Sequence, residues 1–301
     1  MPEPCILHMV SPTKHVSPFD VNMALDAGFD HVIPYADVEV SDMRALVQDA
    51  MFSRPPKLAV RTGFFIGGRN AAIALDMLET AKEAMFPPFM VSVLADPAGS
   101  FTTAGAMVAC IERLLRKEKE RELDGLRVAV FGATGVVGFS AGVICALEGV
   151  RVVLVGHDGA DRVRRSAEEI RRRFTVDVDY ADGSTEALKS AILARAEVVL
   201  TTGRAGVQIL SRAQIDQSPG LMVAADVNAV SPGGIEGLDG KANGEVIGNG
   251  GAMGIGPLAI GDIKYKCESQ LFKAMIDAEK AVAFDFRDAF KLARKLVAGN
   301  G

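Results

Sequence analysis

Arg127-Val-Ala-Val-Phe-Gly-Ala-Thr-Gly-Val-Val-Gly-Phe-Ser-Ala-Gly-Val-Ile-Cys-Ala-Leu-Glu148 is the stretch that decides how this chain is read. Val128 to Phe131 is a short apolar run rich in β-branched residues, which predicts a buried strand. Glycines follow at Gly132, Gly135 and Gly138, and an apolar helical segment then runs to Gly149. A strand feeding a glycine turn that feeds a helix suits a dinucleotide pyrophosphate. Gly132 would permit the tight turn, Gly135 would let the backbone approach the phosphates, and Gly138 would let helix and strand pack closely. The N–H groups and positive dipole end of the helix would then face the anion. The candidates in the turn are Gly132, Ala133, Thr134, Gly135, Val136, Val137 and Gly138.

Other readings compete for the same residues. The run from Val128 to Leu147 carries no charge and has the length of a membrane span. Gly138-Phe-Ser140-Ala-Gly142 matches the pattern of a nucleophile elbow, but that serine must stand directly after the strand. Here Ser140 falls inside the helix, which rejects the elbow. A glycine turn that binds nothing is the third alternative. The residues downstream favour the nucleotide: Arg151-Val-Val-Leu-Val155 is a second apolar strand ending in Gly156-His157-Asp158. Asp158 lies 20 positions after Gly138, close to where an acid should meet the adenosine ribose hydroxyls.

Composition bounds the rest. A chain of 301 residues, 49% hydrophobic and 24% charged, has material for two cores. A net charge of −5 argues against a nucleic-acid partner and offers no basic face to a membrane. The start, Met1-Pro-Glu-Pro-Cys5, lacks a signal pattern, and the cytoplasm is the expected compartment. Cys5, Cys110, Cys145 and Cys267 have no paired spacing, and His8, His15, His31 and His157 form no i,i+4 pair, so no metal site is expected.

Strand and helix alternate through the first part. Strands are expected at 6–10, 31–35, 60–66 and 90–95, and helices at 17–28, 41–51, 70–85 and 102–122. Ser17-Pro18 reads as an N-cap and first helical residue. In the second part, a helix at 159–174, a strand at 176–178, a helix at 185–194 and strands at 197–201 and 221–225 follow the first two strands. Residues 233–256 are glycine-rich and expected as loop, with Val246-Ile247 a short strand; helices at 258–278 and 283–298 close the chain. The fold class is α/β in two domains, an N-terminal one with a mostly parallel sheet and a Rossmann-type doubly wound one, with a cleft between them. The expected bounds are 1–124, 125–256, and closing helices at 257–301 that pack back on the N-terminal domain.

Ligands of doubly wound sheets bind beyond the carboxyl ends of the strands. Thr201-Thr202-Gly203 and Asp226-Val-Asn228 stand there, where a nicotinamide and its ribose lie, or serve as ordinary loop caps. Asp96-Pro-Ala-Gly99-Ser100-Phe-Thr102-Thr103 opens a helix, and its hydroxyls either cap that helix or meet a substrate. Residues 248–256 are either a mobile flap over the nicotinamide or a passive loop, and Lys264 faces either solvent or the cleft. Arg162, Arg164, Arg165, Arg171, Arg172 and Arg173 read as a solvated helical face paired with Glu168 and Glu169. The alternative is that Arg162 neutralises a 2′-phosphate.

Taken together, Ser17-Pro-Phe-Asp20, Phe65-Ile-Gly-Gly68, Asp96-Pro-Ala-Gly-Ser100-Phe-Thr-Thr103, Gly132-Ala-Thr-Gly-Val-Val-Gly138, Asp226-Val-Asn228 and Gly254-Ile-Gly-Pro257 carry a likeness. Over nearly its whole length the chain resembles the NAD(P)-dependent methylene-tetrahydromethanopterin dehydrogenases of methylotrophic bacteria. The resemblance implies a pterin substrate between the two domains, oxidation of its methylene bridge to a methenyl cation, and hydride transfer to the nicotinamide. It also implies a homo-oligomer in one-carbon metabolism. By that likeness Phe19, Asp20, Asp96, Ser100, Thr102, Thr103 and Lys264 are the pterin-side candidates, Lys264 being the one catalytic candidate. Gly254, Ile255 and Gly256 join the cofactor-side candidates.

No general acid, base or nucleophile stands out. Hydride leaving a carbon between two nitrogens is pushed out by a nitrogen lone pair, so positioning and a suitable field would carry catalysis. The chain departs from the strictly NADP-dependent branch at Gly156-His157-Asp158, where that branch places an arginine. A carboxylate favours NAD, while His157 and Arg162 leave room for NADP, so use of NAD with use also of NADP is expected. Rival readings are a methylene-tetrahydrofolate dehydrogenase and a non-catalytic NAD(P)-sensing protein.

Overall fold

Local signals set the elements of the computed structural model, which describes residues 3–299. Strand β1 (Ile6–Val10) leads to helix α1 (Pro18–Ala27), whose Ser17 cap accepts a hydrogen bond from the Asp20 amide at 3.4 Å; Gly28, at φ 113°, ends it. Strand β2 (His31–Tyr35), helices α2 (Met43–Phe52) and α3 (Pro56–Ala59), and strand β3 (Thr62–Ile66) follow. Helix α4 (Ala71–Ala84) is capped by Asn70, whose Oδ1 accepts from the Ile73 amide at 3.1 Å. Strand β4 (Ser92–Ala95) and helix α5 (Ser100–Lys119) come next.

Strand β5 (Arg127–Phe131), helix α6 (Val136–Leu147), strand β6 (Arg151–Gly156), helix α7 (Asp161–Phe174) and strand β7 (Asp179–Asp182) continue the alternation. Helix α8 (Glu186–Leu193), capped by Thr185, strand β8 (Val198–Thr201), helix α9 (Arg212–Asp216) and strand β9 (Val223–Asp226) succeed them. Strands β10 (Asn243–Ile247) and β11 (Ala252–Ile255), helix α10 (Pro257–Ile276), strand β12 (Ala283–Phe284) and helix α11 (Phe286–Gly299) complete the chain.

By its contacts the chain divides into two units, Met1–Thr102 with Tyr265–Ala289, and Thr103–Lys264 with Phe290–Gly301. The first holds a sheet of order β12-β4-β3-β1-β2 in which every pairing is parallel. From β1 the chain steps one way to β2 and the other way to β3 and β4, so the switch point of this sheet lies between β1 and β3. Both β3 and β4 are wholly buried, whereas β2 is an exposed edge.

The second unit holds a sheet of order β10-β11-β9-β8-β5-β6-β7. From β7 to β11 all neighbours are parallel, the doubly wound arrangement with its reversal between β5 and β8; β10 is antiparallel to β11. Its core gathers Ala129, Phe131, Val155, Leu193, Val199 and Ala224.

Several expectations need correction. The uncharged run 128–147 is a strand and a 12-residue helix split by the glycine turn, and among the described residues no helix is long and apolar enough to cross a membrane. The strand expected at 176–178 stands at β7, because Val178 is buried in the interior while the polar Asp179–Asp182 pairs with β6. Within 233–256 the strand expected at Val246-Ile247 is the end of the longer β10, and residues expected as loop form its hairpin partner β11. Ala283-Phe284, expected as helix, pairs with Val93-Leu94 as β12. Helix α11 begins only after Asp285, whose Oδ1 accepts from the Arg287 amide at 2.8 Å. The short helices α3 and α9 carry no periodic signal long enough to be expected from sequence.

Candidate functional site

The turn between β5 and α6 is built on contacts that leave no room for a side chain at Gly132 or Gly138. Gly132 has φ +83°, and a Cβ there would lie 2.6 Å from the Thr202 carbonyl carbon. A Cβ on Gly138 would lie 2.5 Å from Thr202 Oγ1 and 2.7 Å from Gly132 O. Thr202 is thus wedged beneath the turn, and its hydroxyl donates to Phe131 O at 2.8 Å. Gly135 is the N-cap of α6, is exposed, and provides no side-chain cap. The first turn of α6 therefore meets a bare backbone approach, with the positive end of a helix dipole behind it. That shape suits a pyrophosphate.

Beside the turn, Asp158 stands exposed just beyond β6. Arg162 Nη1 donates to Asp158 Oδ2 at 3.1 Å, and Arg162 Nη2 donates to Thr134 Oγ1 at 3.4 Å. The Arg162 guanidinium, by this hydrogen bond first, holds the Asp158 carboxyl below the usual range. His157 Nδ1 lies 3.9 Å from Asp158 Oδ1. On the same helix Arg164 pairs with Glu168 at 2.8 Å, and Arg172 and Arg173 pair with Glu169. The solvated-face reading fits Arg164 and Arg172, whereas Arg173 pairs with Glu169 with its side chain largely covered; Arg162 reaches away from its helix to the glycine turn.

At the ends of β8 and β9 the polar side chains turn inward. Thr201 Oγ1 donates to Asp226 Oδ1 at 2.7 Å, and the Asn228 amide donates to the same oxygen at 3.1 Å. The Gly234 amide donates to Asp226 Oδ2 at 2.7 Å. Burial pushes the Asp226 carboxyl upward, and the hydrogen bond from Thr201 opposes that shift. Asn228 Oδ1 accepts from the Gly206 and Val230 amides at 3.1 and 3.0 Å, and its Nδ2 donates to Pro232 O at 2.9 Å. These residues staple the loops that follow β8 and β9, holding the backbone of Thr202 and Gly203 in place beneath the glycine turn.

The flap reading of 248–256 is corrected by topology. Because β11 runs parallel to β9, the turn before it lies at the amino edge of the sheet, opposite the ligand-binding edge. That turn is also tethered: the Asn249 amide donates to Asp216 Oδ1 at 2.7 Å and Lys119 Nζ donates to Gly251 O at 3.3 Å. Gly254 and Ile255 lie in buried β11, and Gly256 follows at its carboxyl end. A Cβ on Gly254 would strike Leu238 and Ile247.

In the first unit all strands are parallel, so their carboxyl ends share one edge. Phe19, exposed, and Asp20, buried, lie in the first turn of α1 just after β1. Asp96, at the end of β4, is fully buried. Its Oδ1 accepts from the Phe101 amide at 2.7 Å and the Thr102 amide at 3.2 Å, and Thr102 Oγ1 donates to its Oδ2 at 2.5 Å. Asp96 and Thr102 therefore cap α5 from within, while Ser100 and Thr103 are half-buried in its first turn. Between them Ala98 adopts φ 55°, a left-handed conformation that costs a non-glycine residue about 1 kcal/mol. Lys264 is half-buried on α10, two turns from its start.

Sequence reasoning missed Ser11 and Thr13, at the carboxyl end of β1 beside the switch point. Ser11 Oγ and Thr13 Oγ1 are 2.7 Å apart. Only the strand order singles them out.

A parallel sheet with its switch at β1 and β3, and a second, doubly wound sheet with a bare glycine-capped helix, give the two-sheet α/β architecture that recurs among dehydrogenases. Over 288 residues the chain is 50% identical to the NAD(P)-dependent methylenetetrahydromethanopterin dehydrogenase of Methylorubrum extorquens, spanning 96% of this chain and 97% of that one. The chain belongs to the family of NAD(P)-dependent methylenetetrahydromethanopterin dehydrogenases. A family model described as methylene-tetrahydromethanopterin dehydrogenase, N-terminal, matches residues 18–98. The bifunctional protein MdtA of the same organism is 32% identical over 280 residues, 93% of this chain and 94% of that one. Among solved structures, shikimate 5-dehydrogenase from Listeria monocytogenes, in complex with shikimate and NAD, matches with a TM-score of 0.52 at 12% identity. The match covers 99% of this chain and 97% of that one and is a likeness of fold.

Proposed function

We infer that this protein oxidises methylene-tetrahydromethanopterin to methenyl-tetrahydromethanopterin, with NAD or NADP taking the hydride. The observation that carries this reading is 50% identity across 96% of the chain to a relative named for that activity. When bound, the dinucleotide supplies the hydride acceptor. One C–H bond of the methylene bridge breaks with its electron pair, and the resulting cation is shared over the two flanking nitrogens, so no proton moves. The chain's task is then to hold and orient.

We assign the pyrophosphate to the turn 132–138, where close packing on Thr202 keeps Gly132 and Gly138 bare. The Asp226 and Asn228 staples keep the adjoining loops, including Gly203, fixed for the nicotinamide end. Gly254, Ile255 and Gly256 are assigned beside them at the end of β11. Phe19, Asp20, Asp96, Ser100, Thr102, Thr103 and Lys264 are assigned to the pterin, with Asp96 setting the entry of α5 rather than reaching outward. The protein is proposed to act as a cytoplasmic homo-oligomer, and its four buried thiols suit a reducing compartment.

An assay at the NAD(P)H absorbance with methylene-tetrahydromethanopterin and methylene-tetrahydrofolate in parallel tests the reading. Reduction with the first pterin is expected. Reduction with the second alone reassigns the substrate, and reduction with neither ends the enzyme reading.

A further inference from the structure

The arginine nearest the glycine turn behaves unlike its neighbours, and that difference bears on how one acidic site accepts two dinucleotides. Arg164, Arg172 and Arg173 bind carboxylates of their own helix, and Arg171 binds Asp177 just past its carboxyl end, away from the glycine turn. Arg162 instead bridges two loops, from Asp158 beyond β6 to Thr134 beyond β5. These are the loops between which the adenosine ribose lies in a doubly wound sheet, so this point rests on the dinucleotide assignment above. We propose that Arg162 is an exchangeable counter-ion: it neutralises Asp158 when the ribose carries a free 2′-hydroxyl, and transfers to the phosphate when the ribose carries a 2′-phosphate.

Three observations support the exchange. Asp158 and Arg162 are both exposed, with side chains 43% and 48% accessible, so their ion pair is worth little and is readily given up. The second bond, to Thr134 at 3.4 Å, is long and goes to a neutral hydroxyl, which a dianion would outcompete. Arg162 is also the second residue of α7, a short side-chain rotation from either partner. An acid alone at this place would repel a 2′-phosphate; the adjacent guanidinium offsets that repulsion without removing the acceptor that ribose hydroxyls need.

Calorimetric titration of the full-length protein with adenosine 2′,5′-bisphosphate and with adenosine 5′-monophosphate isolates the effect, because the two differ only in the 2′-phosphate. In R162Q, affinity for the bisphosphate is expected to fall about 10- to 100-fold, the value of one charge-assisted hydrogen bond, with the monophosphate changing less than about threefold. In D158N, the bisphosphate is expected to bind more tightly than in the unaltered protein. Equal losses for both ligands in R162Q, or no loss for either, overturn the proposal while leaving the dinucleotide assignment standing. Failure of the unaltered protein to bind either ligand, or NADH, overturns both.

Discussion

Two strand-to-helix junctions, one in each unit, solve the same problem in opposite ways. After β4 the chain enters α5 through Asp96, a buried carboxylate that accepts the Phe101 and Thr102 amides. After β5 it enters α6 through Gly135, which has no side chain to offer. Both helices begin with amides that need acceptors and a positive dipole end. The first junction satisfies them with its own residue and is complete by itself. The second supplies no side-chain cap of its own, and its other glycines, Gly132 and Gly138, are pressed so closely on Thr202 that no side chain could stand in. On the proposed assignment, the contrast accounts for a phosphate at α6 and a rigid, internally capped start of α5.

The largest effect should come from removing the internal cap. Asp96→Ala strands the buried Phe101 and Thr102 amides, leaving the Thr102 hydroxyl only Gly99 O, and is expected to cost about 2–4 kcal/mol of stability by denaturant melts. Dinucleotide affinity should be unchanged; a loss of affinity without a loss of stability would break the contrast between the junctions. Next, Gly138→Ala places a methyl group 2.5 Å from Thr202 Oγ1 and 2.7 Å from Gly132 O. It should weaken NADH binding about 100-fold or more by fluorescence titration, a cost of about 3 kcal/mol.

Gly135→Asp turns the second junction into a copy of the first. Gly135 has ordinary extended angles, and its Cβ would meet Gly132 O at 3.3 Å, a tight contact that a small backbone shift relieves, so the variant should fold. It is expected to gain only about 0.3 kcal/mol from the new cap, since glycine is itself a tolerated N-cap. NADH binding should fall at least about tenfold, since the carboxylate occupies the anion's amides and repels it. Undiminished binding in this variant would refute the open-amide account.

The smallest effect concerns α7, which borders the second junction. Arg172, with Arg173, holds the Glu169 carboxyl down from 4.5 to about 2. A carboxylate depressed in the folded state adds stability that is present above its unfolded value and lost as pH falls. Glu169→Gln should therefore lower stability by about 1 kcal/mol at most at neutral pH. It should also flatten the acid limb of the melting profile between 4.5 and about 2, because the wild-type contribution vanishes there. Cofactor affinity should not move, in contrast to R162Q.

Much of the frame was legible because its signals are local. Ser17, Asn70 and Thr185 each cap a helix through an amide three residues on, and the periods of apolar residues around them mark the same elements. The glycine turn was legible for the same reason. Of the β10–β11 hairpin only Val246-Ile247, within β10, was legible; β11 was not, because the glycines around it read as loop while it is held by pairing with distant β9. Likewise Ala283-Phe284 is strand only because β4 presents an edge to it. The roles of Thr201, Asp226 and Asn228 were also hidden: their position at strand ends was plain, but their inward direction depends on the loop that returns at Gly234.

The sequence by itself determined that this chain alternates strand and helix, that a glycine turn precedes α6, and that an acid follows β6. Each of these rests on forces acting within a few residues: steric freedom, capping and apolar period. Only the tertiary structure decided that residues 248–251 turn at the edge away from the ligand, that Asp226 is a staple, and that Arg162 spans two loops. Those outcomes depend on partners far along the chain, and on which of several polar groups is left facing water once the sheets have formed.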